Sequence, residues 1–295
     1  MLNPDWRLEH RMSAAADRVT VIVVTFNSAH CISALAEGLR PVPHVVVVDN
    51  ASEDNTAQEV SQRLPRAVWV PLETNRGFGA ANNAGVRLAS TEFVLLLNPD
   101  CTIEIEAIEH LVQALDDCPQ ASAAGPQLID RKGLPDISYR WRSDGWSSRG
   151  PGASGLACVG FFTGACMLIR REAMTRIGGF DEDFFLYYED DDLCLRLQDA
   201  CGPLLLQPLA RVQHLSRGSV GGKARLKGEF LRGYHHIQSK FRFQAKHRGQ
   251  RSTLWLRTRY GTVALLEGLL RLIVLDTKRA WRCAGRVAGC WEYPI

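Results

Sequence analysis

Long apolar runs are missing from this chain of 295 residues. No stretch of about 18 uncharged apolar residues occurs, so no segment is expected to span a bilayer. The first 18 residues carry charges throughout and lack an apolar centre, which is not the pattern of a signal peptide. The nine cysteines include no Cys-x-x-Cys pair, which argues against a structural zinc site or a disulfide framework. These absences predict a cytoplasmic protein in a reducing compartment.

A large net charge is also missing, since the formal sum is only +3. The distribution of that charge is uneven. From Arg211 to the C-terminus there are 18 Lys and Arg residues against 4 Asp and Glu residues. This excess predicts an anionic partner for the tail, either a membrane surface or a nucleic acid.

Strand and helix signals alternate through the first hundred residues. Apolar, β-branched runs predict four strands, at residues 19–26, 45–48, 68–72 and 93–97. Helix-like stretches lie between them, at residues 29–38, 56–63 and 79–89. The second helix opens with Thr56 and Glu59 at the spacing of a capping box. This alternation implies right-handed crossovers and a mostly parallel sheet, so the predicted class is α/β.

Polar side chains follow three of the predicted strands. Thr25 and Asn27 close the first strand, the pair Asp49 and Asn50 closes the second, and Asp100 follows the fourth. Ligands bind beyond the carboxyl ends of the strands in such sheets, so we predict a binding site at this edge. A carboxylate placed there suits Mg²⁺ or Mn²⁺ bridging two phosphates. By itself, Asn-Pro-Asp is also a common turn.

The glycine-rich segment 75–85 resembles a dinucleotide fingerprint only in part. It follows the third strand rather than the first, and Asn82 stands where the third glycine belongs. Gly77 still allows the backbone to approach a ligand closely. A tight turn into a helix would explain the glycines but not the adjacent Asn82 and Asn83.

Four consecutive acidic residues, at positions 189–192, follow a group of aromatic residues. A helix N-terminus would favour one or two carboxylates there, but not four. Aromatic walls can raise a carboxylate pKa toward the range that suits proton abstraction. His214 is either a structural histidine or a second metal ligand. The Gly-, Ser- and Trp-rich loop 131–160 is either an exposed insertion or a mobile loop that shapes a substrate site.

Six motifs occur in order: Thr25-Phe-Asn27, Val48-Asp-Asn-Ala-Ser-Glu-Asp54, Asn75-Arg-Gly-Phe-Gly79, Asn98-Pro-Asp100, Gly179-Phe-Asp-Glu182 and Tyr188-Glu-Asp-Asp-Asp-Leu193. Over residues 19–220 the chain resembles the inverting family 2 glycosyltransferases. The closest resemblance is to the rhamnosyltransferase-like branch that builds bacterial cell-wall and surface polysaccharides. The resemblance implies an A-type glycosyltransferase fold, which is Rossmann-like with flanking helices, followed here by a helical C-terminal extension.

The resemblance also implies roles for individual residues. Donor-binding roles fall on Thr25, Asn27, Asp49, Asn50, Ser52, Asn75, Gly77, Asn83 and Asn98, with Asp49 accepting the N3–H of a pyrimidine. The metal ligands would be Asp100 and His214, holding Mg²⁺ or Mn²⁺. Asp190 would be the general base, with Glu189 and Asp191 competing for that role. The acceptor side would be formed by Trp141, Trp146, Gly164, Tyr188 and Asp191. The usual Asp-x-Asp metal motif reads Asn98-Pro-Asp100 here, which leaves one carboxylate fewer.

The predicted reaction is an inverting, metal-dependent transfer of a sugar, with rhamnose from dTDP-rhamnose as first choice and a UDP-linked donor as the alternative. The acceptor would be a saccharide or a polyprenyl-diphosphate-linked saccharide at the inner face of the cell membrane. A sugar nucleotidyltransferase is the rival enzyme, but residues 25–30 lack the basic loop that holds a triphosphate. The other alternative is an inactive nucleotide-binding scaffold, which would not need the acidic cluster.

The predicted organisation is an N-terminal tail at 1–18, a catalytic domain at 19–225 and a basic helical extension at 226–295. Within the catalytic domain, residues 19–100 would bind the nucleotide, and residues 101–225 would supply the acceptor and catalytic half. Residues 261–287, drawn as one helix, show a basic face opposite an apolar face, as in helices that lie on membranes. Packing of that apolar face on the catalytic domain or on a second subunit of a homodimer is the alternative. Basic and aromatic residues mixed between 232 and 251 can also signal RNA binding. We predict no nucleic acid, because a lipid-linked diphosphate suits the enzyme better.

Overall fold

The structure is a computed structural model that describes residues 14–140, 152–215, 225–249 and 253–293. The chain forms two compact units. The sheet unit comprises residues 1–76, 80–180 and 193–221, and the helical unit comprises residues 77–79, 181–192 and 222–295. The helical unit therefore contains two short segments from the first two thirds of the chain as well as its C-terminal part.

The strands belong to two sheets. They are β1 (Val19–Thr25), β2 (His44–Asp49), β3 (Val68–Pro71), β4 (Phe93–Leu97), β5 (Cys101–Thr102), β6 (Ala123–Ile129), β7 (Pro135–Asp136), β8 (Tyr139–Arg140), β9 (Ala157–Val159), β10 (Phe161–Phe162), β11 (Cys166–Arg170) and β12 (Leu204–His214). The large sheet has the order β3-β2-β1-β4-β11-β6-β12-β5, with β7 on β6 and β9 on β12, while β8 and β10 pair separately. Strands β1 to β4 are parallel, as predicted, whereas β11 runs antiparallel to both of its neighbours.

The helices of the described residues are α1 (Ile32–Leu39), α2 (Thr56–Arg63), α3 (Phe78–Val86), α4 (Ile105–Asp117), α5 (Arg171–Arg176), α6 (Glu189–Ala200), α7 (Arg225–Arg248), α8 (Leu254–Ile273) and α9 (Thr277–Glu292). None of them has the length and apolar content needed to cross a bilayer.

Strand β1 is buried on both faces, which explains why its sequence is a continuous β-branched run rather than an alternating one. Val21 and Val23 belong to one hydrophobic cluster, and Val24 belongs to another on the opposite face. Helix α4 adds Ile108 and Leu111 to the first cluster. The central strand is therefore held rigidly, and its carboxyl end presents Thr25 from a fixed position.

Two predictions about the first helices are wrong in detail. The predicted helix 29–38 begins with a 3₁₀ turn at Ala29–Cys31, and α1 follows it. The capping box at Thr56 does not form, because the N-cap of α2 is Asn55. The Thr56 hydroxyl instead accepts a hydrogen bond from the Ser28 backbone N–H at 2.9 Å and donates one to the Asp54 carboxylate. Thr56 therefore connects two loops rather than capping a helix.

The C-terminal segment is helical, but the prediction of one continuous helix through 261–287 is wrong. Helix α8 ends at Ile273 and α9 begins at Thr277, with Leu275 between them in the left-handed region at φ 56°. The Asp276 side chain accepts a hydrogen bond from the Arg279 N–H at 3.2 Å and thereby caps α9. The two helices form a hairpin.

Glycines bring α7 and α9 unusually close together. A Cβ at Gly233 would collide with the Arg282 carbonyl, and one at Gly285 would collide with the Phe230 carbonyl. A Cβ at Gly289 would lie 2.7 Å from the Tyr234 carbonyl oxygen. The two backbones therefore touch directly, so these positions require glycine.

Candidate active site

Asp49 is at the centre of a hydrogen-bond network at the carboxyl ends of β1 and β2. Parallel pairing sets Thr25 opposite Asp49, and the Thr25 hydroxyl donates to Oδ1 of Asp49 at 2.8 Å. The Ser52 hydroxyl donates to the same oxygen at 2.5 Å, and the Ser52 N–H donates to Oδ2 at 2.9 Å. Asp49 is only 6% exposed, so the carboxylate is held rigidly at the strand end.

Asn27 extends this network to the next loop. It has a positive φ of 51°, a conformation that asparagine tolerates better than most residues. The N–H of Asn27 donates to the Ser52 hydroxyl, and its side-chain oxygen accepts from the Glu53 N–H, both at 2.8 Å. The structure thus brings together four residues that were predicted to bind the nucleotide sugar: Thr25, Asn27, Asp49 and Ser52.

Two more residues predicted to bind the nucleotide sugar, Asn50 and Asn75, are joined by a hydrogen bond. Nδ2 of Asn50 donates to Oδ1 of Asn75 at 2.9 Å, and Oδ1 of Asn50 accepts from the Arg76 N–H at 2.8 Å. Asn50 therefore fastens the start of the glycine-rich segment to the end of β2. Sequence spacing alone could not have shown this contact.

Asn83 makes hydrogen bonds that the sequence did not suggest. Its Nδ2 donates to the Phe180 carbonyl at 2.9 Å, and its Oδ1 accepts from the Phe180 N–H at 2.8 Å. A Cβ at Gly179 would collide with this side chain. Asn83 thus positions the Gly179-Phe180 turn, whereas its predicted contact with the donor stays a prediction.

Within the helical unit, Gly77 lies against the segment that precedes the acidic residues. Its φ is 86°, and a Cβ there would collide with the Phe185 carbonyl. The neighbouring Phe78 N–H donates to that carbonyl at 3.1 Å. The predicted close approach at Gly77 is therefore an approach to protein backbone, and the role of Gly77 toward a donor stays a prediction.

Asp100 and His214 are brought together by the pairing of β5 with β12, in which His214 stands opposite Cys101. Oδ1 of Asp100 lies 3.6 Å from Nε2 of His214. With Cys101, these residues place three potential ligand atoms within 4.8 Å of one another. Asn98 begins this turn, since its carbonyl accepts from the Cys101 N–H at 3.0 Å.

The donor set of this cluster fits a divalent cation. A carboxylate and an imidazole, one buried and one partly buried, converge there as ligands of Mn²⁺ or Mg²⁺ would. Cys101 was not predicted, and burial raises the pKa of its thiol well above the ordinary value. Its Sγ donates to the Ala165 carbonyl at 3.4 Å. Asp100 and His214 are therefore placed where they can hold such an ion, and their role as its ligands stays a prediction.

The acidic segment begins with unusual backbone geometry. Tyr187 and Tyr188 both have positive φ, at 70° and 65°, and α6 starts at the next residue. Such conformations are strained for bulky side chains and persist only where the surroundings enforce them. His236 packs edge-on against both tyrosine rings, and the Ser239 hydroxyl holds the Leu186 carbonyl at 2.9 Å.

The four carboxylates of this segment lie in different environments. Glu189 is buried, and its Oε2 accepts no hydrogen bond from the described residues. Burial, and then the charges of Asp190 and Asp191, raise the pKa of Glu189 well above its ordinary value. Asp190 and Asp191 are partly exposed, and Oδ1 of Asp190 accepts a hydrogen bond from the Asp191 N–H at 3.0 Å.

Asp192 is fully buried and contacts two basic side chains of α7. Its Oδ1 lies 2.7 Å from Nζ of Lys246 and 2.7 Å from Nε2 of His247. Lys246 also contacts Oδ2 of Asp181 at 2.6 Å. Asp192 thus anchors the start of α6. Sequence reasoning missed both of these contacts, because nothing local marks residues more than fifty positions away as partners.

The predicted acceptor-side residues are placed only in part. Tyr188 packs near Phe243 with a centroid distance of 5.5 Å, and Gly164 lies in the turn before β11. Trp141 and Trp146 lie outside the described residues. The acceptor-side roles of all five residues, including Asp191, remain predictions.

Two solved structures share this fold. One is the mannosyltransferase PcManGT from Pyrobaculum calidifontis in complex with GDP-Man and Mn²⁺, with a TM-score of 0.58, 20% identity, and coverage of 94% of this chain and 88% of that one. The other is GalNAc-T7 with UDP, GalNAc and Mn²⁺, with a TM-score of 0.58, 13% identity, and coverage of 83% of this chain and 57% of that one. They confirm the predicted A-type fold.

Sequence comparison identifies the family. The N-acetylglucosaminyl-diphospho-decaprenol L-rhamnosyltransferase of Mycobacterium tuberculosis is 29% identical over 248 residues, which cover 70% of this chain and 78% of the relative. This similarity agrees with the predicted rhamnosyltransferase-like branch. The family model described as Glycosyl transferase family 2 matches residues 20–178, more than half of the chain. The protein is therefore a glycosyltransferase, and it belongs to glycosyl transferase family 2.

Proposed function

We propose that this glycosyltransferase moves a sugar from a pyrimidine nucleoside diphosphate to an acceptor hydroxyl with inversion at the anomeric carbon. The preferred donor is dTDP-rhamnose, and the sugar transferred is rhamnose, because the mycobacterial relative is named as a rhamnosyltransferase. The observation that carries the proposal is the convergence of Asp100 and His214 beyond the β4 strand end. That arrangement suits a donor whose leaving group is a diphosphate.

The hydrogen bonds of Asp49 support a pyrimidine base. A carboxylate offers about four acceptor positions. Thr25 and Ser52 occupy two on Oδ1, and the Ser52 N–H occupies one on Oδ2. The remaining position on Oδ2 can accept the N3–H of uracil or thymine. Cytosine and adenine present an acceptor at the equivalent edge and would be repelled.

Asp100 and His214 would hold the metal ion, either Mg²⁺ or Mn²⁺. Bound there, the cation would neutralise charge that develops on the departing diphosphate. The one carboxylate of Asn98-Pro-Asp100 supplies a single negative charge, so donor phosphates must complete the coordination. We therefore expect metal and donor to bind cooperatively.

Asp190 would act as the general base. The partial exposure of Asp190 keeps its carboxylate available to an acceptor hydroxyl, whereas burial favours the protonated form of Glu189, which cannot accept a proton. Asp190 takes the hydroxyl proton as the new glycosidic bond forms and the bond to the diphosphate oxygen breaks. Attack from the opposite face inverts the anomeric configuration.

The acceptor would be a saccharide on a polyprenyl diphosphate or a free saccharide, in cell-wall or surface polysaccharide synthesis. The mycobacterial relative is named for a diphospho-decaprenol acceptor, which supports the lipid-linked form. The protein would then work at the cytoplasmic face of the cell membrane, in peripheral contact with it. The alternative is that the apolar surface of the C-terminal extension packs on a second copy of the chain in a homodimer.

A donor panel tests this proposal directly. Purified protein is incubated with Mn²⁺, N-acetylglucosaminyl diphosphate on a short polyprenol, and dTDP-, UDP-, GDP- or CDP-linked sugars in turn. We expect transfer from dTDP-rhamnose, product of inverted anomeric configuration by NMR, and stronger inhibition by dTDP or UDP than by CDP or ADP. Equal inhibition by all four nucleotides would refute the role of Asp49.

A further inference from the structure

Helix α8 (Leu254–Ile273) buries small and charged residues and exposes large aliphatic ones, the reverse of the usual arrangement. Its buried residues are small or charged, namely Arg257, Gly261, Ala264 and Gly268. Large aliphatic side chains of its C-terminal half point outward instead: Leu265, Leu266, Leu269, Leu270, Leu272 and Ile273. Their exposed fractions run from 51% to 76%. At 100° per residue, these six side chains span an arc of about 160°. We name them the leucine face.

The inward side of α8 packs against α9, and its Tyr260 also packs on Phe241 of α7. Arg257 donates to the Cys290 carbonyl at 2.7 Å and to the Trp291 carbonyl at 3.1 Å, which satisfies the end of α9. A Cβ at Gly268 would lie 3.1 Å from Cys283 Cβ. The helix hairpin is therefore held by a polar clamp and close backbone approach. The leucine face contributes little to this packing, so its sequence has to serve something outside the hairpin.

The apolar surface continues past the end of α8. In the connecting turn, Val274 is 66% exposed and Leu275 is 83% exposed. Leu275 adopts the left-handed conformation, so the turn presents a large aliphatic side chain where glycine or asparagine is the usual residue. The exposed cations Lys278 and Arg279 follow directly. Aliphatic side chains favour the acyl region of a bilayer and cations favour its headgroups, so this tip has the composition of a segment that lies at the boundary between them.

The charge of the hairpin selects an anionic partner. Residues 253–293 contain seven Lys and Arg against three acidic residues. Glu267 contacts Arg271 and Arg286, while Asp276 contacts Arg271 and Arg279. Glu292 accepts from the Tyr234 hydroxyl at 2.7 Å. The acidic groups are thus engaged within the helical unit, while Lys278 lies exposed beside the tip and Arg259 lies exposed beside Trp255.

We propose that the leucine face and the Val274–Leu275 tip insert into the headgroup region of an anionic bilayer. An apolar helix face edged by cations is what a helix lying in the membrane plane presents, and anionic lipid attracts the basic residues beside it. The exposed Trp255 on the same helix, with Arg259 5.5 Å from its ring, adds an interfacial aromatic. The proposal deepens the proposed lipid-linked acceptor, but lipid binding itself requires no sugar chemistry.

Flotation with liposomes tests the proposal on the full chain. Vesicles contain phosphatidylcholine alone or with phosphatidylglycerol. We expect flotation with the anionic vesicles and weaker flotation without them. The double variant Leu270→Glu/Ile273→Glu should bind at least tenfold more weakly, because both side chains are exposed and are not needed for packing. Lys278→Glu should weaken binding to anionic vesicles by at least about fivefold, since each basic residue lost costs about that factor.

The matched control is Leu88→Glu/Leu209→Glu, which makes the same chemical change at exposed leucines of the sheet unit (52% and 68% exposed). It should float like the wild type, and thermal melts of all variants should coincide. Equal flotation of both double variants, or no flotation of the wild type on anionic vesicles, would overturn the proposal. A dimer that dissociates in Leu270→Glu/Ile273→Glu, without any flotation, would assign the face to a second copy instead.

Transfer to a short, water-soluble acceptor separates this proposal from the proposed function. The double variant should retain that activity, because the leucine face lies outside the catalytic residues. A wild-type protein that floats but transfers no sugar from any donor would leave the membrane surface standing and refute the function.

Discussion

The strand-end network of the sheet unit and the acidic segment of the helical unit both bury a carboxylate, but they surround it differently. Asp49 accepts three hydrogen bonds from Thr25 and Ser52. Glu189 is equally buried, yet its Oε2 accepts none from the described residues. A buried polar group costs free energy unless it is paired, so the first arrangement stabilises the fold and the second opposes it.

Backbone geometry follows the same division. The strand end is built on regular parallel pairing, whereas two consecutive tyrosines before α6 occupy the left-handed region at a cost of about 1–3 kcal/mol each. Strain of this kind persists only where surrounding contacts enforce it, here including the ion pairs of Asp192. The comparison teaches that the residues proposed to bind the donor also stabilise the fold, whereas the residues proposed for catalysis lie in a segment whose local geometry opposes folding.

The largest expected effect separates rate from stability in the acidic segment. Asp190→Asn should lower the transfer rate by about 10²–10⁴-fold, the usual contribution of a general base. Donor affinity and melting temperature should change little, because Asp190 is partly exposed. Enzyme assays, nucleotide titration and thermal melts give the three readouts. Asp199→Asn, an exposed carboxylate later in α6, should leave all of them unchanged. Near-normal turnover of Asp190→Asn would transfer the role to Glu189 or Asp191.

The next effect concerns the proposed metal ligands of the sheet unit. Asp100→Ala should lower metal-dependent donor affinity by at least about 100-fold, since a first ligand matters more than the outer contacts that cost 10–100-fold. Calorimetry with dTDP-rhamnose in Mn²⁺ and in EDTA measures it. The wild type should lose affinity in EDTA, whereas the variant should bind weakly in both. Equal affinity of the wild type with and without metal would be inconsistent with the assignment.

At the strand end, loss of the Asp49 carboxylate should lower both stability and nucleotide affinity. Asp49→Ala leaves the Thr25 hydroxyl and the Ser52 N–H without their acceptor, so the free energy of unfolding should fall by about 1–3 kcal/mol. Affinity for dTDP or UDP should fall as well. Denaturant unfolding and nucleotide titration measure the two quantities, and the exposed Glu73→Ala serves as control. A loss of nucleotide affinity with an unchanged free energy of unfolding would show that the Asp49 hydrogen bonds do not stabilise the fold.

The last expected effect has the opposite sign, because the variant should be more stable than the wild type. The folded-state pKa of Glu189 is raised, so folding favours its protonated form, and that stabilisation is full below the unfolded value of 4.5 and lost as pH rises toward the folded value. Glu189→Gln stays neutral and avoids this loss. Its stability relative to wild type should therefore increase above pH 4.5, by about 1.4 kcal/mol per pH unit until the folded pKa is passed. Urea unfolding at pH 4 to 8 measures it, and a constant difference would contradict the burial argument.

The sequence predicted the strands most accurately where burial alone decides the structure. The bounds of β4 agree with the prediction, because a continuous apolar run has only one way to be buried in this sheet. The start of α1 was wrong, since the Thr56 hydroxyl fixes the preceding turn by accepting from the Ser28 backbone N–H and donating to the Asp54 carboxylate. Bonds of this kind between distant loops leave no periodic signal.

Parts of the candidate site were predictable for a similar reason. The strand-end residues were found because parallel strands deliver their carboxyl ends to one edge. The separation of 3.6 Å between Asp100 and His214 depends on how β5 pairs with β12, which spacing in the sequence does not encode. The break at Leu275 was missed because the basic and apolar faces resume beyond it, although Leu275 and Asp276 themselves fall on the wrong faces of a single helix.

The glycine contacts between α7 and α9 give the helical unit a mechanical property. The contacts Gly233 with Arg282 and Gly289 with Ile237 align the two helices in parallel, with their backbones meshed. Such close backbone packing resists sliding of one helix along the other. One end of this helix pair adjoins the Val274–Leu275 tip, and the other end, about 25–30 Å away, contacts Asp192 through Lys246 and His247. The helix pair therefore connects the tip with Asp192, two positions after Asp190.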